Sequence, residues 1–366
     1  MKLSVIILNY NVRYFLELCL KSVEAAITDL DAEIIVVDNN SPDDSCQIVK
    51  QLFPDVKLIE NKENSGFSKG NNIGVAQAKG EYLCILNPDT VVSEDTFTKL
   101  IAFADSKKNL GIVGCQLIDG RGQFLPESKR NVPTPIVSLK KVLGNSKDYY
   151  ANHVEVENTG KVDVLVGAFM WLKKELYESV GGFDEEYFMY GEDIDLSYKV
   201  IKAGYDNYYF GDTTVIHFKG ESTLRDANYA RRFYGAMQIF YKKHFKRNVL
   251  LNGMVWLGIK MAYLMRKNPD EVNLQPNQSY LYATNYDKSV IEKLPNPVHI
   301  ETIIQDKVEN NSMIIYDLKA LAASAMISDM KIKSKQENIV FRFIPKNSNF
   351  SLGSDSATSR GEVLHF

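Results

Sequence analysis

The sequence predicts an α/β protein built on a mostly parallel sheet, and three observations carry that prediction. Short apolar, β-rich runs alternate with segments of helical spacing through the first 120 residues. That alternation is a βαβα order, which sets parallel strands in one layer with helices on both faces. Polar residues also cluster just after strand ends: Asn9 and Asn11, then Asp38-Asn39-Asn40, then Asn87-Pro88-Asp89. In such sheets ligands bind in the crevice at the carboxyl ends of the strands.

Residues 3–8 form an unbroken β-rich run that stops at polar Asn9, and residues 14–27 repeat apolar positions at helical spacing. A strand follows at 33–37, then a helix at 43–53 opened by Ser41-Pro42-Asp43, a strand at 56–60, a helix at 69–78 and a strand at 82–86. Residues 119–161 are rich in Pro, Lys, Asn and Tyr with weak periodicity, and are expected to form an irregular, partly mobile segment on the acceptor side. Strand character returns at 162–171. A short helix at 173–180 ends at Gly181-Gly182, a helix at 192–203 stops at Gly204, and 208–210 and 214–218 are extended.

A helical pattern from 228 to 245 leads into a 17-residue apolar run at 249–265, interrupted by Lys260 and flanked by Lys246-Arg247 and Arg266-Lys267. The run falls short of the roughly 20 residues of a comfortable span. Its basic flanks suit peripheral contact with a membrane surface, and a buried or partner-packing helix fits equally well. Polar residues 268–276, with two prolines, are expected to link to a smaller α/β unit with strands at 280–283, 298–304, 313–317 and 339–344, a helix at 318–330 and a flexible run at 351–360. The expected division is therefore 1–225, 226–267 and 277–366, the last without an assigned role.

Hydrophobic residues make up 45% of the chain and charged ones 24%, the balance of a globular protein with a sizeable core. The net charge of −3 supplies no global field for nucleic acid. Four scattered cysteines without a C-x-x-C pair exclude a metal–thiolate site and predict free thiols in a reducing compartment. The segment after Met1 is too short for a signal-peptide core, so a cytoplasmic location is expected, possible at the inner face of the cell membrane.

The chemistry concentrates in a few acids. Asp89 projects from a strand end and suits Mg2+ or Mn2+ bridging diphosphate oxygens. Asn87 brings no charge, so a second ligand is needed, and His217, after an extended run, is the best candidate. Asp193 opens a helix within Glu192-Asp193-Ile194-Asp195, where a carboxylate can take a proton from an attacking hydroxyl. Acids there also complement the helix dipole. Glu192 and Asp195 are expected to serve structure or substrate hydroxyls, and Trp171 and Tyr190 to wall the acceptor. Asp38 can meet a base or ribose, or cap the next helix. Asn64-Ser65-Gly66-Phe67 and Lys69-Gly70-Asn71-Asn72 precede or open a helix whose N–H groups suit phosphate.

Six ordered motifs then resemble those of family 2 glycosyltransferases, in the rhamnosyltransferase-like branch, over about residues 1–245. They are residues 4–11, Val36–Ser41, Asn64-x-Gly-Phe67 with Asn72, Asn87-Pro-Asp-Thr90, Gly181-Gly-Phe-Asp-Glu185 and Glu192-Asp-x-Asp-Leu196. The resemblance implies a GT-A fold, a nucleotide-sugar donor, a divalent metal and inversion at the anomeric carbon. It implies base contact by Asp38, metal binding by Asp89 with His217, and proton abstraction by Asp193. Asn9, Asn11, Asn64, Asn72 and Asn87 join Asp38 as expected donor contacts. The expected reaction serves cell-surface polysaccharide synthesis, with a dTDP-, UDP- or GDP-linked donor and a saccharide or lipid-linked acceptor. Asn87 departs from the first acid of the D-x-D signature. A sugar nucleotidyltransferase is disfavoured because Asn9-Tyr10-Asn11-Val12-Arg13 is no glycine- and lysine-rich phosphate loop. A catalytically silent nucleotide-sugar binding or assembly protein at the membrane is disfavoured by the intact Asp89, Asp193 and His217.

Overall fold

The computed structural model describes residues 1–221, 227–245, 275–286, 288–356 and 360–366. The apolar run at 249–265 and the linker at 268–274 lie outside the described residues. Among the described residues no helix is long and apolar enough to cross a membrane.

The first half follows the expected alternation: β1 (Leu3–Asn9), α1 (Arg13–Ala26), β2 (Ala32–Asp38), α2 (Ser45–Leu52), β3 (Lys57–Glu60), α3 (Gly66–Val75) and β4 (Tyr82–Leu86). The sequence left the next elements unmarked: β5 (Thr90–Val91), α4 (Thr96–Asp105), β6 (Leu110–Ile118), α5 (Pro135–Val142) and β7 (Gly160–Lys161). After them come β8 (Phe169–Lys173), α6 (Lys174–Ser179), α7 (Glu192–Lys202), β9 (Asp206–His217) and α8 (Ala227–His244).

These strands form one sheet in the order β3-β2-β1-β4-β8-β6-β9-β5, with β7 beside β9. β1 pairs parallel with β2 and β4. β8 runs antiparallel to both β4 and β6, so the sheet is mixed rather than uniformly parallel. The strand at 162–171 shrinks to Phe169–Lys173, and the two extended runs near 208–218 merge into the single strand β9.

Both sheet faces are covered, which is why the strands read as continuous apolar runs rather than alternating ones. Val5, Ile7, Val36 and Cys84 face one core, while Ile6, Ile35, Leu83 and Ile85 face the other. α3 lies unusually close to β1. A side chain on Gly70 would meet Leu8 at 2.4 Å and one on Gly74 would meet Ile6 at 2.6 Å, so glycine is kept there despite its cost to a helix.

A second sheet follows, built from β10 (Gln278–Tyr282), α9 (Lys288–Glu292), β11 (Val298–Glu301), β12 (Ser312–Asp317), α10 (Ala323–Lys333), β13 (Val340–Ile344), β14 (Phe350–Gly353) and β15 (Glu362–His365). Its order is β11-β10-β12-β13-β14-β15. The expected flexible run at 351–360 instead begins inside β14, with Leu352 fully buried. This sheet shares a core with the first: Phe218 stacks edge-on to Phe343 at 5.4 Å, and Phe15 and Ile216 join Phe341 and Leu352. Glu94 accepts from the Ala323 and Ser324 N–H groups at the start of α10, at 2.5 and 3.0 Å.

Candidate active site

The first pair of site residues meets through strand register. β5 runs antiparallel to β9 with Thr90 opposite His217 and Val91 opposite Ile216. The Phe218 N–H donates to the Asp89 carbonyl at 3.0 Å. Asp89, one residue before β5, is thereby held beside His217. His217 Nε2 stands 3.5 Å from Asp89 Oδ1 and 3.3 Å from Asn87 Nδ2.

Both side chains are buried, and Asp89 Oδ1 makes no hydrogen bond among the described residues. A buried carboxylate oxygen left without a donor is costly unless a cation completes it. One oxygen and one imidazole nitrogen fit Mg2+ or Mn2+, which commonly take one or two protein ligands and fill the rest with phosphate oxygens and water. No group of three or more His, Cys, Asp or Glu among the described residues could hold a metal, so the protein supplies a sparse donor set.

The second element is the start of α7. Tyr190 takes φ +71° and Gly191 φ +80°, two successive left-handed residues that turn the chain sharply into the helix. For Tyr190 that conformation costs on the order of 1–3 kcal/mol, strain of the kind stored at functional sites. The turn aims Glu192 and Asp193 into the cleft. The Ile194 N–H donates to Asp193 Oδ1 at 2.8 Å, and the Gly167 N–H donates to Oδ2 at 3.2 Å. Arg130 Nη2 donates to the same Oδ2 at 2.6 Å and to the Leu165 carbonyl at 2.8 Å. Burial alone would lower the Arg130 pKa, but the Asp193 carboxylate outweighs it and the guanidinium is held charged. Glu192 is pushed up to about 8, first by burial and then by the charge of Asp193.

Lys219 closes the ring. It adopts φ +55° two residues after His217 and pairs with Glu127. Burial opposes ionisation of Glu127, yet Lys219 beside it keeps its carboxyl below the usual range. Asp89, His217, Asp193, Glu192, Arg130 and Lys219 all line one cavity of about 380 Å3. Asn64, Asn87 and Tyr190 line it as well.

Several expected contacts lie elsewhere. Asn9 and Asp38 are buried beneath the cleft, where Asn9 Nδ2 donates to Asp38 Oδ1 at 2.7 Å and Ser41 donates to both Asp38 oxygens at 2.6 and 2.8 Å. Asn11 enters the same turn through its backbone N–H, which donates to Ser41 Oγ at 3.0 Å. These residues brace their neighbours Tyr10 and Asn39, which do line the cavity. Asn72 ties α3 to the turn at 182–185 instead, donating to the Phe183 carbonyl at 2.9 Å and Glu185 Oε1 at 3.0 Å.

Trp171, expected at the acceptor wall, and Asp195, expected to serve structure or substrate hydroxyls, both lie away from the cleft. Trp171 is fully buried on β8, stacked on Tyr82 at 4.1 Å, because β8 has core on both faces. Asp195 points away from the cleft and is fully buried. It binds His244 Nε2 at 2.6 Å, Lys243 Nζ at 3.0 Å and the Tyr187 hydroxyl at 3.3 Å, fastening α8 to α7.

The middle segment, expected to be loose, instead carries buried Arg130 and the cleft-lining Glu127, Lys141 and Tyr149. Arg130, Glu127 and Lys219 are the functional candidates the sequence left unnamed. The lysine two residues beyond the histidine was the available signal for one of them.

Residues 4–181 match the family model for glycosyl transferase family 2. Over 243 residues the chain is 30% identical to the N-acetylglucosaminyl-diphospho-decaprenol L-rhamnosyltransferase of Mycobacterium tuberculosis, a match covering 61% of this chain and 78% of that relative. The chain belongs to glycosyl transferase family 2, and it is a glycosyltransferase with an α/β fold. It is also 27% identical over 280 residues to the low-salt glycan biosynthesis hexosyltransferase Agl10 of Haloferax volcanii, covering 71% of this chain and 85% of that one. Among solved structures, the mannosyltransferase PcManGT from Pyrobaculum calidifontis, in complex with GDP-Man and Mn2+, overlaps 72% of each chain at 18% identity and a TM-score of 0.48.

Proposed function

We propose that the chain moves a sugar, with inversion, from a nucleotide-sugar donor to a hydroxyl of a saccharide or lipid-linked saccharide in cell-surface glycan synthesis. Catalysis is assigned to about residues 1–225. The observation that carries this reading is the convergence of Asp89, His217 and Asp193 on one cavity of about 380 Å3. The lipid-linked acceptor draws on the decaprenol-linked substrate in the name of the mycobacterial relative.

In this mechanism Asp193 accepts the proton of the acceptor hydroxyl as its oxygen bonds to the anomeric carbon. The bond from that carbon to the diphosphate oxygen breaks, and its electron pair leaves with the nucleoside diphosphate. Arg130 fixes Asp193 in orientation through the 2.6 Å contact. A divalent cation held by Asp89 and His217 would neutralise charge on the departing diphosphate. Lys219 is placed to add a second positive charge. Tyr10, 38% exposed at the cavity wall, offers a ring face to the nucleotide base.

The test pairs donor binding with transfer. Thermal shifts of the purified chain with Mn2+ and dTDP-, UDP- or GDP-linked sugars should rank the donors by mass action. Asp89→Ala and His217→Ala should abolish the metal-dependent part of that shift. Asp193→Asn should keep it while slowing transfer by roughly 10²–10⁴-fold. Near wild-type transfer by Asp193→Asn would overturn the proton-abstraction role.

A further inference from the structure

The second sheet holds a cavity of its own, at a position that its topology makes meaningful. β10 pairs parallel with β11 on one side and with β12 on the other, and β12 pairs parallel with β13. The chain leaves β10 through α9 to β11, then returns past β10 to β12. Successive connections therefore run in opposite directions from β10. In open parallel sheets that reversal opens a crevice at the carboxyl ends of the two strands, and ligands bind there.

A cavity of about 250 Å3 lies at that place, lined by Ala283 after β10, Asp317 at the end of β12 and Ile344 at the end of β13. Asp317 is only 8% exposed. One of its oxygens accepts from the Lys319 N–H at 2.9 Å, and the other takes no hydrogen bond among the described residues. Burial raises its pKa, as expected of a carboxyl whose partners are incomplete.

The lining chemistry narrows the ligand. Asn285, Asn349 and Tyr286 line the cavity along with Asp317. One lysine, Lys319, stands against one aspartate, so the walls carry no excess positive charge for phosphate. No glycine-rich loop follows β10, and α9, with five residues, is too short to present a phosphate-binding end. A volume just under the roughly 300–1,000 Å3 of common ligand pockets holds a single ring rather than a nucleotide. Carboxylate and amide groups pair with the alternating donors and acceptors of sugar hydroxyls, and an aromatic ring covers an apolar sugar face.

We propose that this cavity is a saccharide-binding site separate from the transfer cleft, taking one neutral sugar ring through Asp317, Asn285 and Asn349 with Tyr286 against its face. Ser348, also on the cavity wall, accepts from Lys21 Nζ and donates to Glu17 Oε1 of α1, each at 2.7 Å. A glycan held here would therefore sit on a wall hydrogen-bonded to α1 of the first unit.

The test is saturation-transfer NMR on the full chain with D-glucose, N-acetyl-D-glucosamine and L-rhamnose, each at millimolar concentration. At least one sugar should receive saturation from the wild type. Asp317→Ala and Tyr286→Ala should each weaken its binding by at least about fivefold, the worth of one hydrogen bond. Asp193→Asn should leave it unchanged. Tyr286 is 47% exposed, so its variant retains the fold and decides the matter if Asp317→Ala unfolds. No transfer to any of the three sugars, transfer undiminished in Tyr286→Ala, or transfer lost in Asp193→Asn would each overturn the proposal.

Discussion

Arg130 and Asp193 form a buried ion pair, with Nη2 2.6 Å from Oδ2 and both side chains at most 10% exposed. The pair joins the segment at 119–161 to the first turn of α7, so an acid at the cleft wall is oriented by a residue from a distant part of the chain. Removing one partner of such a pair strands the other charge away from water, at a cost of about 3–5 kcal/mol. Arg130→Met should therefore lower the thermal midpoint and turnover together. Adding Asp193→Asn to that background should restore much of the stability and none of the turnover. A double variant no more stable than Arg130→Met would show that the pair is not the source of the loss.

Lys219 is expected to act on the leaving group rather than on the fold. Loss of one preorganised positive contact to developing charge commonly costs about 10²–10³-fold in kcat. Lys219→Met should fall in that range while still binding donor, and Lys219→Arg should retain most of the rate. Equal activity in Lys219→Met and wild type at saturating donor and Mn2+ would remove the lysine from the mechanism.

Glu192 should make stability depend on pH in an unusual direction. In the folded chain burial holds its proton up to about 8, whereas an unfolded glutamate ionises near 4.3. Between those values the unfolded state binds fewer protons, so stability falls as pH rises through the window. Glu192→Gln keeps the neutral form at every pH. Its thermal midpoint should exceed that of the wild type most at pH 8, with the gap closing near pH 4–5. A constant offset across pH 4–8 would contradict the buried, protonated state.

Trp171 and Asp195 should behave as structural residues. Trp171→Ala should cost about 3–5 kcal/mol through the cavity left against Tyr82. Asp195→Ala should destabilise by about 1–3 kcal/mol, because the His244 ring and the Tyr187 hydroxyl lose the buried acceptor they bond. Fully folded at low temperature, both variants should bind acceptor with unchanged KM. A selective rise in acceptor KM for either one would return it to the cleft.

What the sequence determined by itself was local. Apolar runs fixed the early strands and helices to within a few residues, because a strand buried on both faces needs continuous Val, Ile and Leu and its end is marked by the first Asn or Asp. The same logic set Asp89 at a strand end and Asp193 at a helix start, since each is dictated by immediate neighbours.

Tertiary structure decided which of these groups meet and which stay hidden. Nothing near Asp89 in the chain specifies His217; the β5–β9 register does, through Thr90 opposite His217. Arg130 becomes a cleft residue only because its segment folds against α7. Trp171 and Asp195 fit a binding motif by spacing, but a strand with core on both faces buries the first and the packing of α8 claims the second. Side-chain identity is written residue by residue, whereas burial and pairing belong to the sheet and helix contacts made between distant segments.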